Sequence, residues 1–433
     1  RLWAFRLALE SLLGAPLESA VPVTIFALDG ESWRRYAAPR SGLAGWFSGE
    51  PFAADVVRAM LCIRINTLLR GHSGIRVQTL ESLAAMLNAG IVPVVPQLGS
   101  VGASGDLAPL AHLTLALIGE GEVQVGWPGP LRTEPAEQAL RAAGIEKVVL
   151  QAKEGLALVN GTTCMVALCF HNYRQALRLT ELATLGSAWL CLSIRGRKEA
   201  FGPLVNEVAK SFAGQALVAR RITALLDEEG YQALAYEEIA QDGEFTSHLV
   251  QDRYSLRCAP QVLGPVHDTL DLIGRWIETE MNGVSDNPLF DRGERLANGG
   301  NFYGGYLTHA MDYLKICMAN VADLVDRQIM LLISDKTNRG LTPNLADWEG
   351  VDKAQRHLYH GLKGVHQNLS AITAEIMAKA TPNSIFSRSS ESHNQDKVSL
   401  GMSAAVQCAD QLETMVTVIT CALCCLAQAL DLR

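Results

Sequence analysis

The stretch Gly99-Ser100-Val101-Gly102-Ala103-Ser104-Gly105-Asp106-Leu107-Ala108-Pro109-Leu110-Ala111-His112 gathers glycine around one serine. Its G-x-x-G-x-x-G spacing is neither the G-x-G-x-x-G of a dinucleotide loop nor a phosphate loop, which would carry GK[ST]. What is left is a backbone poor in side chains. Gly105 leaves its amide nitrogen able to approach the carbonyl of Ala103, and alanine adds almost no bulk to resist that compression. Attack of the nitrogen on that carbonyl, with loss of two waters, one of them from Ser104, would give 4-methylidene-imidazole-5-one, a conjugated electrophile made by the chain itself. Asp106 is placed to cap a helix running through Pro109, tolerated in a first turn, to Ile118, with its positive end toward the new ring. Taken alone, an Ala-Ser-Gly tripeptide is most often a simple turn, so its surroundings decide.

Those surroundings read as helices. Leu314, Cys317, Met318, Val321, Leu324 and Val325 recur at the spacing of one helical face, and similar patterns run from Ala53 to Leu69, Met165 to Ile194, Val262 to Glu280 and Val398 to Leu430. Alternating, strand-like runs are few; Glu120 to Gly126, followed by Trp127-Pro128-Gly129-Pro130, reads as a small hairpin or loop excursion. The expected class is mainly α, a long central helical bundle over residues 151–433 with a smaller N-terminal part, residues 1–150, carrying the Ala-Ser-Gly loop. Polar, Gly/Asn/Pro-rich interruptions at Gly99 to Gly105, Asn160-Gly161-Thr162, Asn282 to Pro288, Asn298 to Gly305 and Ser387 to Asp396 suggest one assembled pocket.

Composition excludes several classes. With 48% hydrophobic and 19% charged residues in 433, much surface must be hidden inside a helical body or between subunits. A net charge of −8 and no Lys/Arg cluster speak against a nucleic-acid partner. The ten cysteines lie scattered in apolar stretches, as in a reducing cytoplasm; Cys421, Cys424 and Cys425 read as buried free thiols rather than a zinc or redox site. The uncharged run Thr414 to Leu430 reads as a core helix, and Arg1 to Leu13 lacks the features of a secretory signal. His357 and His360, without a carboxylate signature, read as surface residues, so no metal is expected.

From about Gly49 to Arg433 the chain resembles the ammonia-lyase and aminomutase family that uses this ring, which includes histidine, phenylalanine and tyrosine ammonia-lyases. The resemblance rests on blocks in the family's order: Arg64 to Gly74 (RINTLLRGHSG), Ala103-Ser104-Gly105, Glu154 to Thr162 (EGLALVNGT), Gln251 to Cys258 (QDRYSLRC), Ser285 to Leu289 (SDNPL), Asn301 to Gly304 (NFYG) and Glu391 to Asp396 (ESHNQD). It implies a homotetramer with pockets formed from more than one subunit, the ring as cofactor, and non-oxidative loss of ammonia to give an aryl acrylate.

The resemblance also implies roles. Arg257, three residues after Tyr254 and six after Gln251, would share a helical side with both and grip the substrate carboxylate with its two-pronged guanidinium; on residue type alone it would be a surface salt bridge. Tyr254 would lie beside the ring rather than serve as a core aromatic. Asn160, by itself a capping or turn residue, would act on ring and substrate, while Asn301 and Phe302 would line the pocket or be plain turn and core residues. Histidine lyases carry a glutamate at the slot of Gln395; with Glu391, Gln395 points to a phenyl or phenol substrate, L-Phe or L-Tyr. One element of the family is not found. The tyrosine of a YG-x-x-TGFG-like string, its β-proton base, has no match, since Tyr36 is followed by Ala37-Ala38-Pro39-Arg40. An aminomutase returning ammonia to the β-carbon shares every block, and an inactive helical scaffold is the reading that the missing tyrosine favours.

Overall fold

In a computed structural model the described residues are 49–231, 251–291 and 295–433; Tyr36 lies outside them. Helices dominate. In chain order they are α1 (Ala54–Leu69), α2 (Val77–Asn88), α3 (Leu107–Leu117), α4 (Ala136–Ala142), α5 (Glu154–Val159), α6 (Thr163–Ser193), α7 (Ala213–Glu228), α8 (Tyr254–Arg257), α9 (Ala259–Met281), α10 (Gly305–Ile333), α11 (Lys363–Ala378) and α12 (Gly401–Asp431). The long ones, α6, α9, α10 and α12, fall where apolar periodicity places them. Strands are short: β1 (Val92–Pro93), β2 (Glu122–Val125) and β3 (Arg132–Pro135) form an antiparallel sheet in that order, and β4 (Leu289–Asp291) pairs with β5 (Arg295–Ala297). The expected hairpin is thus β2 and β3, with Val125 opposite Arg132 and the Pro/Gly segment as its turn.

The chain divides into two compact units. One runs through His171, with Arg275–Met311 and Asn383–Val406; the other comprises Asn172–Gly274, Asp312–Pro382 and Gln407–Arg433.

In the first unit, α1 buries Val57, Met60, Leu61, Arg64, Ile65 and Leu68, a stripe at helical spacing that takes one arginine into the core with the aliphatic residues. Helix α3 is apolar but for His112 and Thr114, with Leu110, Ala111, Leu113, Leu115 and Leu117 buried, as expected of a helix enclosed by its neighbours. Asp106 precedes it but does not cap it: Asp106 makes no side-chain bond to its own helix, and its Oδ2 accepts instead from Met165 N in the first turn of α6, at 2.7 Å. The expected capping is therefore transferred to a different helix, because burial leaves this carboxylate only the donors that tertiary packing brings to it.

The second unit is built on α10, whose Leu314, Met318, Val321, Leu324 and Val325 are buried as their spacing requires, with Cys317 at the margin. Helices α7 and α9 meet at a pair of glycines: a Cβ on Gly214 would stand 2.1 Å from Gly264 O, so only a bare backbone fits this crossing. Gln328 Nε2 donates to Ser187 Oγ and Ser255 O, fixing α8 and its flanks. Helix α12 buries Cys408, Leu412, Met415, Val418, Cys425 and Ala429 along one side. Cys424, expected to be buried with its neighbours, is exposed, because the helical turn carries it to the opposite face; Cys421 is half-buried.

Candidate active site

Ala103, Ser104 and Gly105 lie in a loop immediately before α3, in the first unit. Ser104 (φ +54°) and Gly105 (φ +79°) are both left-handed, a conformation that costs a non-glycine residue about 1–2 kcal/mol. The Asn160-Gly161 segment after α5 holds them there. Gly161 N donates to Ser104 O at 3.2 Å, Asn160 Nδ2 donates to the same oxygen at 3.0 Å, and Asp106 N donates to Gly161 O at 2.7 Å. The fit is close enough that a Cβ on Gly105 would stand 2.1 Å from Gly161 O. Gly102 is just as confined, with Ser399 Oγ 2.5 Å from where its Cβ would be. Among the described residues the Gly105 N–H has only a long bond, 3.4 Å, to Gly102 O.

Left-handed backbone at Ser104 and Gly105, a weakly engaged Gly105 nitrogen and no room for side chains suit closure of a ring through Gly105 N and the Ala103 carbonyl. The residues therefore fit the group. Two donors on the Ser104 carbonyl oxygen would stabilise negative charge developing there, the logic of an oxyanion hole. Asn160 is 3% exposed, and its Oδ1 is buried with no partner among the described residues.

Gln395 also reaches Ser104. Its Nε2 donates to Ser104 Oγ at 3.1 Å, while its Oε1 accepts from Ser390 Oγ at 3.2 Å, an arrangement that fixes which end of the amide faces the serine. Backbone bonds between Ser390 and Gln395 close a tight loop in which Glu391, Ser392 and His393 are all left-handed. Glu391 is exposed on that loop and accepts from Asn394 Nδ2 at 2.7 Å. Asn301 is exposed, its Nδ2 donating to Val284 O at 3.0 Å, and Phe302 is half-buried beside it in the chain.

Beneath the loop lies a buried polar layer. Asp106, which burial pushes up to about 7, sits in it with the Lys153–Asp286 ion pair, whose Nζ and Oδ2 are 2.7 Å apart. Thr162 Oγ1 donates to Glu280, whose carboxyl burial also raises. Glu154, at the start of α5, accepts from Arg76, Thr79 and Gln151 N; burial pushes its carboxyl up, and these bonds outweigh that, leaving it below the usual range.

In the second unit Gln251, Tyr254 and Arg257 line one cavity of about 650 Å³, with Asp252, Arg327 and Met330 among its other walls. The α8 turn places the Arg257 guanidinium 4.5 Å over the Tyr254 ring, and Arg257 Nε donates to Asp252 O at 3.0 Å. Asp252 is in turn paired with Arg339 and accepts from Arg197 N. Tyr254 is 72% exposed, so it is no core aromatic.

A family model described as aromatic amino acid lyase matches residues 39–433. The chain belongs to the aromatic amino acid lyase family. A histidine ammonia-lyase of Geobacillus thermodenitrificans is 41% identical over 385 residues, 89% of this chain and 72% of the relative. A tyrosine 2,3-aminomutase of Chondromyces crocatus is 39% identical over 391 residues, 88% of this chain and 71% of the relative. Among solved structures, a phenylalanine aminomutase of Pantoea agglomerans superposes with a TM-score of 0.85 at 31% identity, covering 99% of this chain and 83% of that one. The chain is accordingly an enzyme of the carbon–nitrogen lyase family, a lyase or aminomutase acting on an aromatic amino acid. Its mainly α fold is that of its relatives.

Ser104 stands out by residue type, Asn160 and Gln395 through the family resemblance, and their meeting comes from the fold. Gly161, Arg64, Lys153 and Asp286 had no role in the sequence analysis, although all four lie in or beside the quoted blocks. The cue for Arg64 was its place on the apolar stripe of α1, where a cation needs a buried task. His357 and His360 are exposed, and among the described residues no group of three or more His, Cys, Asp or Glu could hold a metal.

Proposed function

We propose that this enzyme eliminates ammonia from L-Tyr or L-Phe, giving coumarate or cinnamate, with a 4-methylidene-imidazole-5-one formed from Ala103, Ser104 and Gly105. In ring closure Gly105 N bonds to the Ala103 carbonyl carbon. One water carries off that carbonyl's oxygen with the amide protons of Ser104 and Gly105; the other takes Ser104 Oγ–H and the Ser104 Cα proton. The finished group would supply the electrophile that makes the substrate amine a leaving group, and a base removes the β-proton as the C–N bond breaks, giving the acrylate double bond and ammonia.

The observation that carries this reading is the convergence of Asn160 Nδ2 and Gly161 N on Ser104 O, two donors aimed where charge must develop. Asn160 Oδ1, a buried acceptor without a partner among the described residues, is available to an ammonium N–H. Arg257 binds the carboxylate, its guanidinium steadied by the Tyr254 ring and Asp252 O. Gln251, Asn301, Phe302 and Glu391 complete the substrate contacts in pockets shared between subunits of a cytoplasmic homotetramer.

An aryl substrate is favoured by Gln395, a neutral amide where histidine lyases have glutamate. A second reading, a 2,3-aminomutase that returns ammonia to the β-carbon, is favoured by the likeness to tyrosine and phenylalanine aminomutases. Separate incubation with L-Phe, L-Tyr and L-His, reading both acrylate and β-amino acid, tests both. A site without a partner for each imidazole nitrogen should disfavour L-His by about 1–3 kcal/mol, roughly five- to a hundredfold. A clear preference for L-His overturns the aryl assignment, and Gln395→Glu should move the ratio toward L-His.

A further inference from the structure

Arg64 is 1% exposed, and its guanidinium is spent on the segment that holds Ser104. Nη2 donates to Ala157 O and, at 2.8 Å, to Asn160 O; Nη1 donates to Thr163 Oγ1 at 3.3 Å. Together these contacts tie the end of α5 to the start of α6. Gly161 packs on the same group, since a Cβ there would lie 2.9 Å from Arg64 Nη1. Asp286 and Asp106 supply the surrounding negative charge that keeps a buried cation tolerable.

The Asn160 carbonyl that accepts from Arg64 and the Gly161 N–H that donates to Ser104 O belong to one peptide group. A cation on the oxygen of an amide draws electrons from its nitrogen and makes the N–H a stronger donor; hydrogen bonds in series reinforce one another in this way. The chain of contacts is guanidinium, Asn160 O, Gly161 N–H, Ser104 O, with no gap.

We propose that Arg64 is the positioning residue of this site, acting on the Ser104 carbonyl through the single peptide unit between Asn160 and Gly161. The inference rests on the ring reading above and adds a cause for its efficiency. In the second dehydration the Ser104 Cα–H bond breaks, its electron pair forms the Cα=Cβ bond, Cβ–Oγ breaks, and the released proton and Oγ–H leave as water. Electron density passes transiently onto Ser104 O, where the Gly161 N–H receives it. Lysine at position 64 keeps the charge but cannot reach three acceptors with one ammonium.

The test follows intact mass with time after synthesis or refolding, and the near-ultraviolet band of the matured ring, for parent, Arg64→Lys and Thr163→Val. Arg64→Lys should lose its waters at least about tenfold more slowly and, once matured, show a shifted band, because the carbonyl is less polarised. A shift in a folded, matured protein is something a merely structural arginine would not produce. Thr163→Val removes only the Nη1 acceptor while keeping the side-chain shape, and should change both readouts in the same direction by less. Arg64→Lys that folds, matures at the parent's rate and keeps the parent's band overturns the proposal. Should Arg64→Lys not fold, parent-like behaviour of Thr163→Val overturns it instead. A parent that keeps both waters refutes the ring reading itself, and the role of Arg64 falls with it.

Discussion

Gly105→Ala is the sharpest perturbation of the loop, because its cost can be worked from contacts. The new Cβ would stand 2.1 Å from Gly161 O, 2.4 Å from its carbonyl carbon and 2.9 Å from its Cα, all backbone atoms that no rotamer change can move aside. Restoring an ordinary contact of 3.4 Å requires the two segments to part by about 1.3 Å. That breaks Asp106 N to Gly161 O and Gly161 N to Ser104 O, now 2.7 and 3.2 Å. Each buried bond lost costs about 1 kcal/mol, and more where a group is left unpaired. Holding alanine in the left-handed region adds about 1–2 kcal/mol. A total near 3–6 kcal/mol is a large share of the roughly 5–15 kcal/mol that holds a typical domain together. Urea unfolding followed by circular dichroism should show a clearly lower midpoint, and intact mass should stay at the unmodified value, since parting the segments frees Ser104 and Gly105 from the left-handed conformation in which Gly161 holds them. A variant that unfolds at the parent's midpoint and still loses two waters would refute the reasoning.

Ser104→Ala should fold like the parent but keep its full mass apart from any water lost in ring closure, and should have no lyase activity; turnover near the parent's rate sinks the electrophile. Arg257→Lys keeps charge but loses the fork, and kcat/KM should fall about tenfold or more, roughly 1.4 kcal/mol; unchanged kinetics would remove Arg257 from substrate binding. Asp106 gives a pH signature. Burial raises its carboxyl in the fold from 3.8 to about 7, so its contribution to stability is full below pH 4 and is lost as pH rises through about 7. Asp106→Asn, which can still accept from Met165 N, should gain in urea midpoint relative to the parent between pH 5 and 7.5; a constant difference across that range would mean the carboxyl does not titrate there.

The helical body was legible in the sequence because its signal is local. Leu314, Met318, Val321 and Val325 repeat at the helical period, and a helix can bury such a stripe only on one side, so the face they form follows from spacing alone. The chemistry of Ala103-Ser104-Gly105 was legible for a similar reason: ring closure joins atoms two residues apart, and the small side chains that permit it are written in the chain itself. Asp106 marks the limit of such reading. Its position before α3 suggested a cap, yet its acceptor oxygen serves Met165 N, because a buried carboxylate takes whatever donors surround it in space. The convergence of Asn160, Gly161 and Gln395 on Ser104 likewise joins segments about 56 and 291 residues from it, and no local propensity encodes such a meeting. Arg64 shows both halves at once: its place on an apolar stripe is written in α1, but which carbonyls need its charge was decided only when α5 and α6 packed against that helix.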